Sequence, residues 1–221
     1  MRRFDAVIFD FDGVLVQSIE VKTRAFAALY SHYGPDIEAK VIAHHLAHGG
    51  MSRYEKFHHY HTVLLGQPLS AEDEATLAEQ FSILVEDAVV AAPWMRGARE
   101  FVETHYRALS LFVASATPHE ELRRIIDRRG MTSYFVDAKG APASKVEILR
   151  GFVREHNLQG ERTLMIGDAR ADYEGARRAG LPFLGVAAAP ADLFPAETPV
   201  LSDLTTLAQF LATPRVASAG S

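Results

Sequence analysis

Two carboxylates, Asp10 and Asp12, stand one residue apart at the end of the apolar run Phe4-Asp5-Ala6-Val7-Ile8-Phe9, with Gly13 directly after them. Ionised Asp is seldom buried unless a partner or a cation takes up its charge, so acids at the carboxyl end of a core strand point to a metal or phosphate site. Taken alone, the pair reads equally well as an Asp-Gly turn that stops the strand. Three further groups shift that balance. Ser115-Ala116-Thr117 ends a second apolar run, Lys145 opens a helical pattern, and Gly167-Asp168-Ala169-Arg170-Ala171-Asp172 ends a third run. Carboxylates, a hydroxyl with free backbone N–H groups and one ammonium make a set suited to a divalent cation beside a phosphoryl group. Oxygen ligands of this kind favour Mg2+.

These groups meet only if the runs that carry them are neighbouring parallel strands. From Trp94 onward, strand and helix patterns alternate: helices at 98–107, 118–129, 144–156, 173–179 and 203–211, and strands at 109–114, 134–136, 163–166 and 183–186. Such alternation with short connections predicts a parallel sheet covered on both faces, with ligands bound outside the carboxyl ends of its strands. Residues 16–89 show only helical periods: Ile19 to Tyr33, Asp36 to about Gly49-Gly50, Phe57 to Leu65, and a stripe from Leu77 to Ala88 behind a Ser-x-x-Asp start at Ser70. The expected fold is therefore α/β, a Rossmann-like parallel-sheet core of residues 1–15 and 90–212 with an all-helical insertion at 16–89. The tail, 213–221, is rich in Ala, Ser and Gly and is expected to be functionally silent.

Composition narrows the function classes. The chain has 221 residues, 48% of them hydrophobic, which suffices for a real core. A formal charge of −5 with no basic block argues against nucleic acid as a partner. The absence of cysteine excludes disulfides and thiolate chemistry, and no apolar stretch is long enough for a membrane span. A cytoplasmic location is the expectation; oligomeric state has no signal.

In this order, Asp-x-Asp-Gly-Val-Leu, Ser115, a lysine and Gly-Asp-x-x-x-Asp resemble the four motifs of the haloacid dehalogenase-like hydrolase superfamily over almost the whole chain, and the helical insertion resembles its C1-type cap. Lys139 and Lys145 both lie in the interval of the third motif. Gly140-Ala141-Pro142-Ala143-Ser144-Lys145 resembles its Gly-x-Pro-x-x-Lys form, which favours Lys145. The resemblance implies that Asp10 attacks phosphorus to form an aspartyl-phosphate while Asp12 serves as general acid and then base. It also implies that Mg2+ is held by Asp10, Asp168 and the Asp12 carbonyl, with Asp172 in support. Lys145, Ser115 and amides near Ala116 carry the phosphoryl oxygens. The implied activity is Mg2+-dependent hydrolysis of a small phosphorylated metabolite.

Within the insertion, Gly50-Met51-Ser52-Arg53 is similar to the cap loop of β-phosphoglucomutases, whose Arg grips the remote end of a sugar phosphate, so Gly50 and Arg53 are expected substrate contacts. Arg24-Ala25-Phe26 shares that likeness. Lys22, however, stands where those mutases have a hinge His, and Gln17 where they have Asp, which favours a phosphatase over a mutase. Phosphonatases use a cap lysine as a Schiff base, for which Lys56 and Lys22 are the candidates; dehalogenases lack the acid at position 12. A receiver-like or silent phosphate-binding module is the alternative of another class, against which stand the motif order and the intact acids. His44, His48, His58, His59 and His61 lack the accompaniment of a zinc site and are read as a polar helix surface.

Overall fold

The computed structural model describes residues 3–187 and 193–213. Strand β1 (Ala6–Phe9) is buried along its length. It pairs in parallel with β2 (Ser110–Pro118) on one side and β4 (Thr163–Gly167) on the other. With β3 (Asp137–Ala141), β5 (Phe183–Val186) and β6 (Val200–Leu201), these form a six-stranded parallel sheet in the order β3-β2-β1-β4-β5-β6. The chain order reverses at β1, so a crevice opens at its carboxyl end, where Asp10 and Asp12 lie.

Both faces of the sheet are covered, and the period of two along β1 divides the core accordingly. Val7 and Phe9 join the larger cluster with Phe101 of α5 (Ala98–His105) and Leu122 and Ile125 of α6 (His119–Arg128). Ala6 and Ile8 pack on the other face with Ile148 and Phe152 of α7 (Lys145–Glu155) and Ala176 of α8 (Arg170–Ala179). A short α9 (Leu207–Ala212) follows β6.

Several boundaries differ from the sequence reading. The strand expected at 134–136 is a 3-10 turn (Thr132–Tyr134) leading into β3 at Asp137–Ala141. β3 bonds only to β2, and such an edge strand tolerates Asp137 and Lys139, whereas the apolar Val136 is left 56% exposed. β2 runs past Ala114 to Pro118 through a register shift. α8 begins at Arg170 rather than Tyr173, because the Asp172 carboxylate takes the Ala169 N–H. The helix expected from Asp203 starts at Leu207, since Asp203 instead closes a turn on the Thr205 N–H.

The insertion is built of helices joined by short loops: α1 (Ile19–Tyr30), α2 (Pro35–Ala47), α3 (Arg53–His59) and α4 (Ala71–Ala91). Phe26, Phe57, Tyr60 and Phe81 form its aromatic centre, with Phe26 and Phe81 ring centroids 4.3 Å apart. Each fully buried ring contributes about 1.5–3 kcal/mol of apolar transfer. Ser52 and Glu55 form a capping box that fixes where α3 starts, while the stretch expected as continuous helix to Leu65 loosens into a π-helical turn at Tyr60–Leu64. The two connections to the sheet run side by side: Gln17 N–H bonds the Pro93 carbonyl at 2.9 Å and Met95 N–H the Leu15 carbonyl at 2.8 Å. Of the expected segments, residues 214–221 of the tail lie outside the described residues.

Candidate active site

The carboxyl ends of β1 and β4 bring three acids together. Single carboxylate oxygens of Asp10, Asp168 and Asp172 lie within 4.8 Å of one another, with Asp10 4% and Asp172 0% exposed. Close approach requires Gly13, whose φ is +78°: a Cβ there would stand 2.1 Å from Asp168 Oδ2. Lys145, held at the first turn of α7 by the Ser144–Glu147 capping box, reaches into this trio. Its Nζ donates to Asp10 Oδ1 at 2.9 Å and to the Ala114 carbonyl at 2.6 Å, and lies 2.9 Å from Asp172 Oδ1.

The charge does not balance. Burial raises the Asp10 carboxyl to about 7, with Asp172 and Asp12 adding to the rise and Lys145 opposing it. Burial, and then Asp10, Asp172 and Asp12, lift Asp168 well above the usual carboxylate range. For Lys145, burial acts downward, but Asp10 and Asp172 outweigh it and raise the ammonium. One ammonium facing three crowded carboxyl groups, two of them buried and Asp168 half-buried, cannot compensate their full ionisation, and an all-oxygen donor set in this state fits a hard divalent cation such as Mg2+.

Asp12 faces elsewhere. Its Oδ1 accepts from Ser18 Oγ at 2.6 Å, and its Oδ2 from Lys22 Nζ at 2.5 Å and Thr117 Oγ1 at 3.1 Å. Burial acts to raise this carboxyl, but Lys22 and these hydrogen bonds prevail and hold it below its ordinary value. Its side chain is thus held toward α1 and the end of β2, and it is not part of the trio.

Ser115 is 1% exposed and its hydroxyl accepts the Thr117 N–H at 3.1 Å. That bond shapes the end of β2, so Ala116 and Thr117, not Ser115, line the cavity. Lys139 and Lys145 separate cleanly: Lys139 Nζ pairs with Glu155 and lies 3.7 Å from Asp137, among the Asp137, Glu155 and His156 side chains remote from β1.

The cavity over the trio holds about 810 Å³ and runs up to the helical insertion. Gly50, at φ +74°, places the cap loop over α8, where a Cβ would come within 3.0 Å of Ala171 Cβ. Arg53 reaches the cavity wall but is 5% exposed, and its guanidinium is already engaged. It donates to Glu121 Oε1 and Oε2 at 2.6 and 2.9 Å and to Ser82 Oγ at 2.7 Å. Of the cap lysines, Lys22 is committed to Asp12 and Thr117, at 2.8 Å from the latter. Lys56 bonds His45 Nδ1 at 2.8 Å, and its ammonium is pushed down to about 7 by burial and then by Lys22. His44 stacks between His48 and His59, with centroids 4.0 and 3.9 Å away.

The sequence reading missed Lys22 and Thr117 as partners of Asp12, and His45 and Glu121 altogether. For Thr117 the signal was available in its place at the end of β2. For Glu121, a pairing partner 68 residues away along the chain leaves no local trace.

Comparison with known proteins agrees with this geometry. The family model of haloacid dehalogenase-like hydrolases matches residues 4–180. A phosphoglycolate phosphatase of Synechococcus elongatus is 26% identical over 179 residues, 80% of each chain. CbbY of Rhodobacter sphaeroides, solved with xylulose-1,5-bisphosphate, has a TM-score of 0.73 at 19% identity over 92% of this chain and 96% of its own. YfnB of Bacillus subtilis, solved with magnesium, has a TM-score of 0.70 at 19% identity over 96% of this chain and 100% of its own. No helix among the described residues is long and apolar enough to cross a membrane. Because the family match runs from β1 through α8, and so takes in every element that carries a candidate site residue, the chain belongs to the haloacid dehalogenase-like hydrolases.

Proposed function

We propose that this hydrolase is a Mg2+-dependent phosphatase that cleaves a small phosphate monoester through an aspartyl-phosphate on Asp10. The observation that carries the reading is the trio of Asp10, Asp168 and Asp172, with Asp10 and Asp172 buried and tied to Lys145 at the sheet's reversal point. The magnesium in the YfnB structure and the phosphoglycolate phosphatase relative support the same chemistry. Residues 16–89 act as the cap over this site, and a chain without cysteine suits the cytoplasm.

Lys145 fixes the Asp10 carboxylate through Oδ1, and among the described residues Oδ2 accepts no hydrogen bond, which leaves it for in-line attack on phosphorus. Mg2+, held by Asp10, Asp168 and the Asp12 carbonyl with Asp172 in support, would screen the two anions from each other and draw charge from the phosphoryl oxygens. Lys145 and the amide at Ala116 take up the remaining oxygen charge as the ester bond breaks. Asp12, kept ionised by Lys22, is in the form that removes a proton from the water hydrolysing the intermediate. Protonating the leaving alkoxide requires the opposite form, which loss of the Lys22 contact would favour.

The test is hydrolysis of p-nitrophenyl phosphate with Mg2+, with and without chelator. Turnover that persists in chelator, or in Asp10→Asn, refutes the assignment.

A further inference from the structure

The cap side of the cavity contains a buried ammonium that no described carboxylate neutralises. Lys56 is 3% exposed, yet its contacts are His45 Nδ1 at 2.8 Å, the His45 carbonyl at a marginal 3.5 Å and the Phe26 ring, whose centroid is 5.4 Å away. Asp12 and Glu55 favour its charged form only from beyond ion-pair distance, and within hydrogen-bond reach the protein supplies a lone pair, a marginal carbonyl and a ring face, so the charged form lacks a close counter-charge. The other cations of this wall are taken: Lys22 by Asp12, and Arg53 by both oxygens of Glu121.

His45 serves as an anchor and not as a second cation. An ammonium only donates, so the Nδ1 that faces it must be the unprotonated nitrogen of a neutral ring. Burial and then the charges of Lys56 and Lys22 push this imidazole down to about 3, in keeping with that form. Phe26 packs against the same ring at 4.8 Å and holds it in place. Lys56 and His45 line the same cavity as Asp10 and Thr117, so one small molecule can reach both ends.

We propose that Lys56, oriented by His45, binds a second anionic group of the substrate, a carboxylate or phosphate at the end remote from the scissile ester, while Arg53 is a strut between α3 and α6. The inference rests on the phosphatase reading and names the substrate class for it. A charge-assisted hydrogen bond to a desolvated anion corresponds to a discrimination of about 10- to 100-fold.

Three esters on one two-carbon frame test it: 2-phosphoglycolate, ethanediol bisphosphate and 2-hydroxyethyl phosphate. Steady-state kcat/KM is measured with Mg2+ for the wild type, Lys56→Met, Lys56→Gln and Lys56→Arg. Gln keeps a donor for His45, and the ratio of anionic to neutral ester cancels any loss of active protein. The wild type is expected to prefer at least one anionic ester, and the Met and Gln variants to lose about 10- to 100-fold of that ratio while Arg retains most of it. Which ester loses its advantage tells carboxylate from phosphate. A wild type without the preference, or a ratio unchanged in Met and Gln, overturns the inference and leaves the phosphatase reading standing. No Mg2+-dependent turnover of any ester, p-nitrophenyl phosphate included, overturns both.

Discussion

Removing Glu121 separates a structural role of Arg53 from a substrate-binding one. The two side chains are 4% and 3% exposed and joined by two charge-assisted hydrogen bonds, with Ser82 Oγ donating to Glu121 Oε2 at 2.5 Å. Arg53 also lies over the Phe81 ring at 4.5 Å, so little water is available to replace a lost partner. In Glu121→Leu the guanidinium keeps only Ser82 and stays buried, and breaking a buried pair in this way costs about 3–5 kcal/mol. For a chain of this size that is a fall in Tm of about 6–20 °C. Arg53→Met leaves the carboxylate stranded and is expected to cost a similar amount. The double variant Arg53→Met/Glu121→Leu replaces the pair with apolar groups and is expected to recover most of the loss, with a coupling energy of at least about 2 kcal/mol. Urea unfolding of the four proteins measures this cycle. Single losses below about 1 kcal/mol, or a double variant that loses the sum of the singles, would refute the strut.

Three other outcomes are expected. Asp10→Asn removes one of three crowded acids at constant shape, so the circular dichroism spectrum and Tm are retained while phosphatase turnover falls to background; a variant that still turns over refutes Asp10 as nucleophile. Mg2+ at about 100 times its Kd is expected to add about 2.7 kcal/mol, a rise in Tm of about 5–10 °C, and Asp168→Asn to abolish that rise; an equal rise in the variant refutes the trio as the cation site. His45 has its imidazole pushed down to about 3 in the fold, so the folded chain binds fewer protons than the unfolded chain between about pH 6.5 and 3, and stability falls as pH drops through that window. The loss between pH 7 and 5 is about 2 kcal/mol larger in the wild type than in His45→Phe, as read from denaturant midpoints; parallel curves would show that His45 is not buried neutral.

Much of the fold was legible because its signals are local. β1, β2, β4 and β5 are apolar runs between turn residues, and Ser70 and Ser144 announce the helices they cap, whereas the start of α3 behind Ser52 was placed too late, at Phe57. β3 was misplaced for the converse reason: as an edge strand it needs one bonded neighbour and no continuous apolar run, so the apolar residues before it drew the reading away.

The candidate site divides along the same line. Spacing along single segments nominated Asp10, Asp12, Lys145, Asp168 and Asp172, since each sits at a strand end or helix start that the chain declares within a few residues. Parallel pairing does the rest, because it places all carboxyl ends on one edge. Charge pairing across the insertion could not be read in this way. Arg53 looked like a free cap cation until Glu121 came within 2.6 Å of it, and Lys22 was a departure from a pattern until it met Asp12. Lys56 carried no functional signal except as one of two candidates for a Schiff-base lysine. Whether a lysine or arginine is satisfied, stranded or available depends on which acids the fold brings within hydrogen-bond reach. The sequence by itself nominated the acids and the lysine at the floor of the site, and the tertiary structure decided which cations of the roof are paired with acids, because that pairing joins segments far apart in the chain.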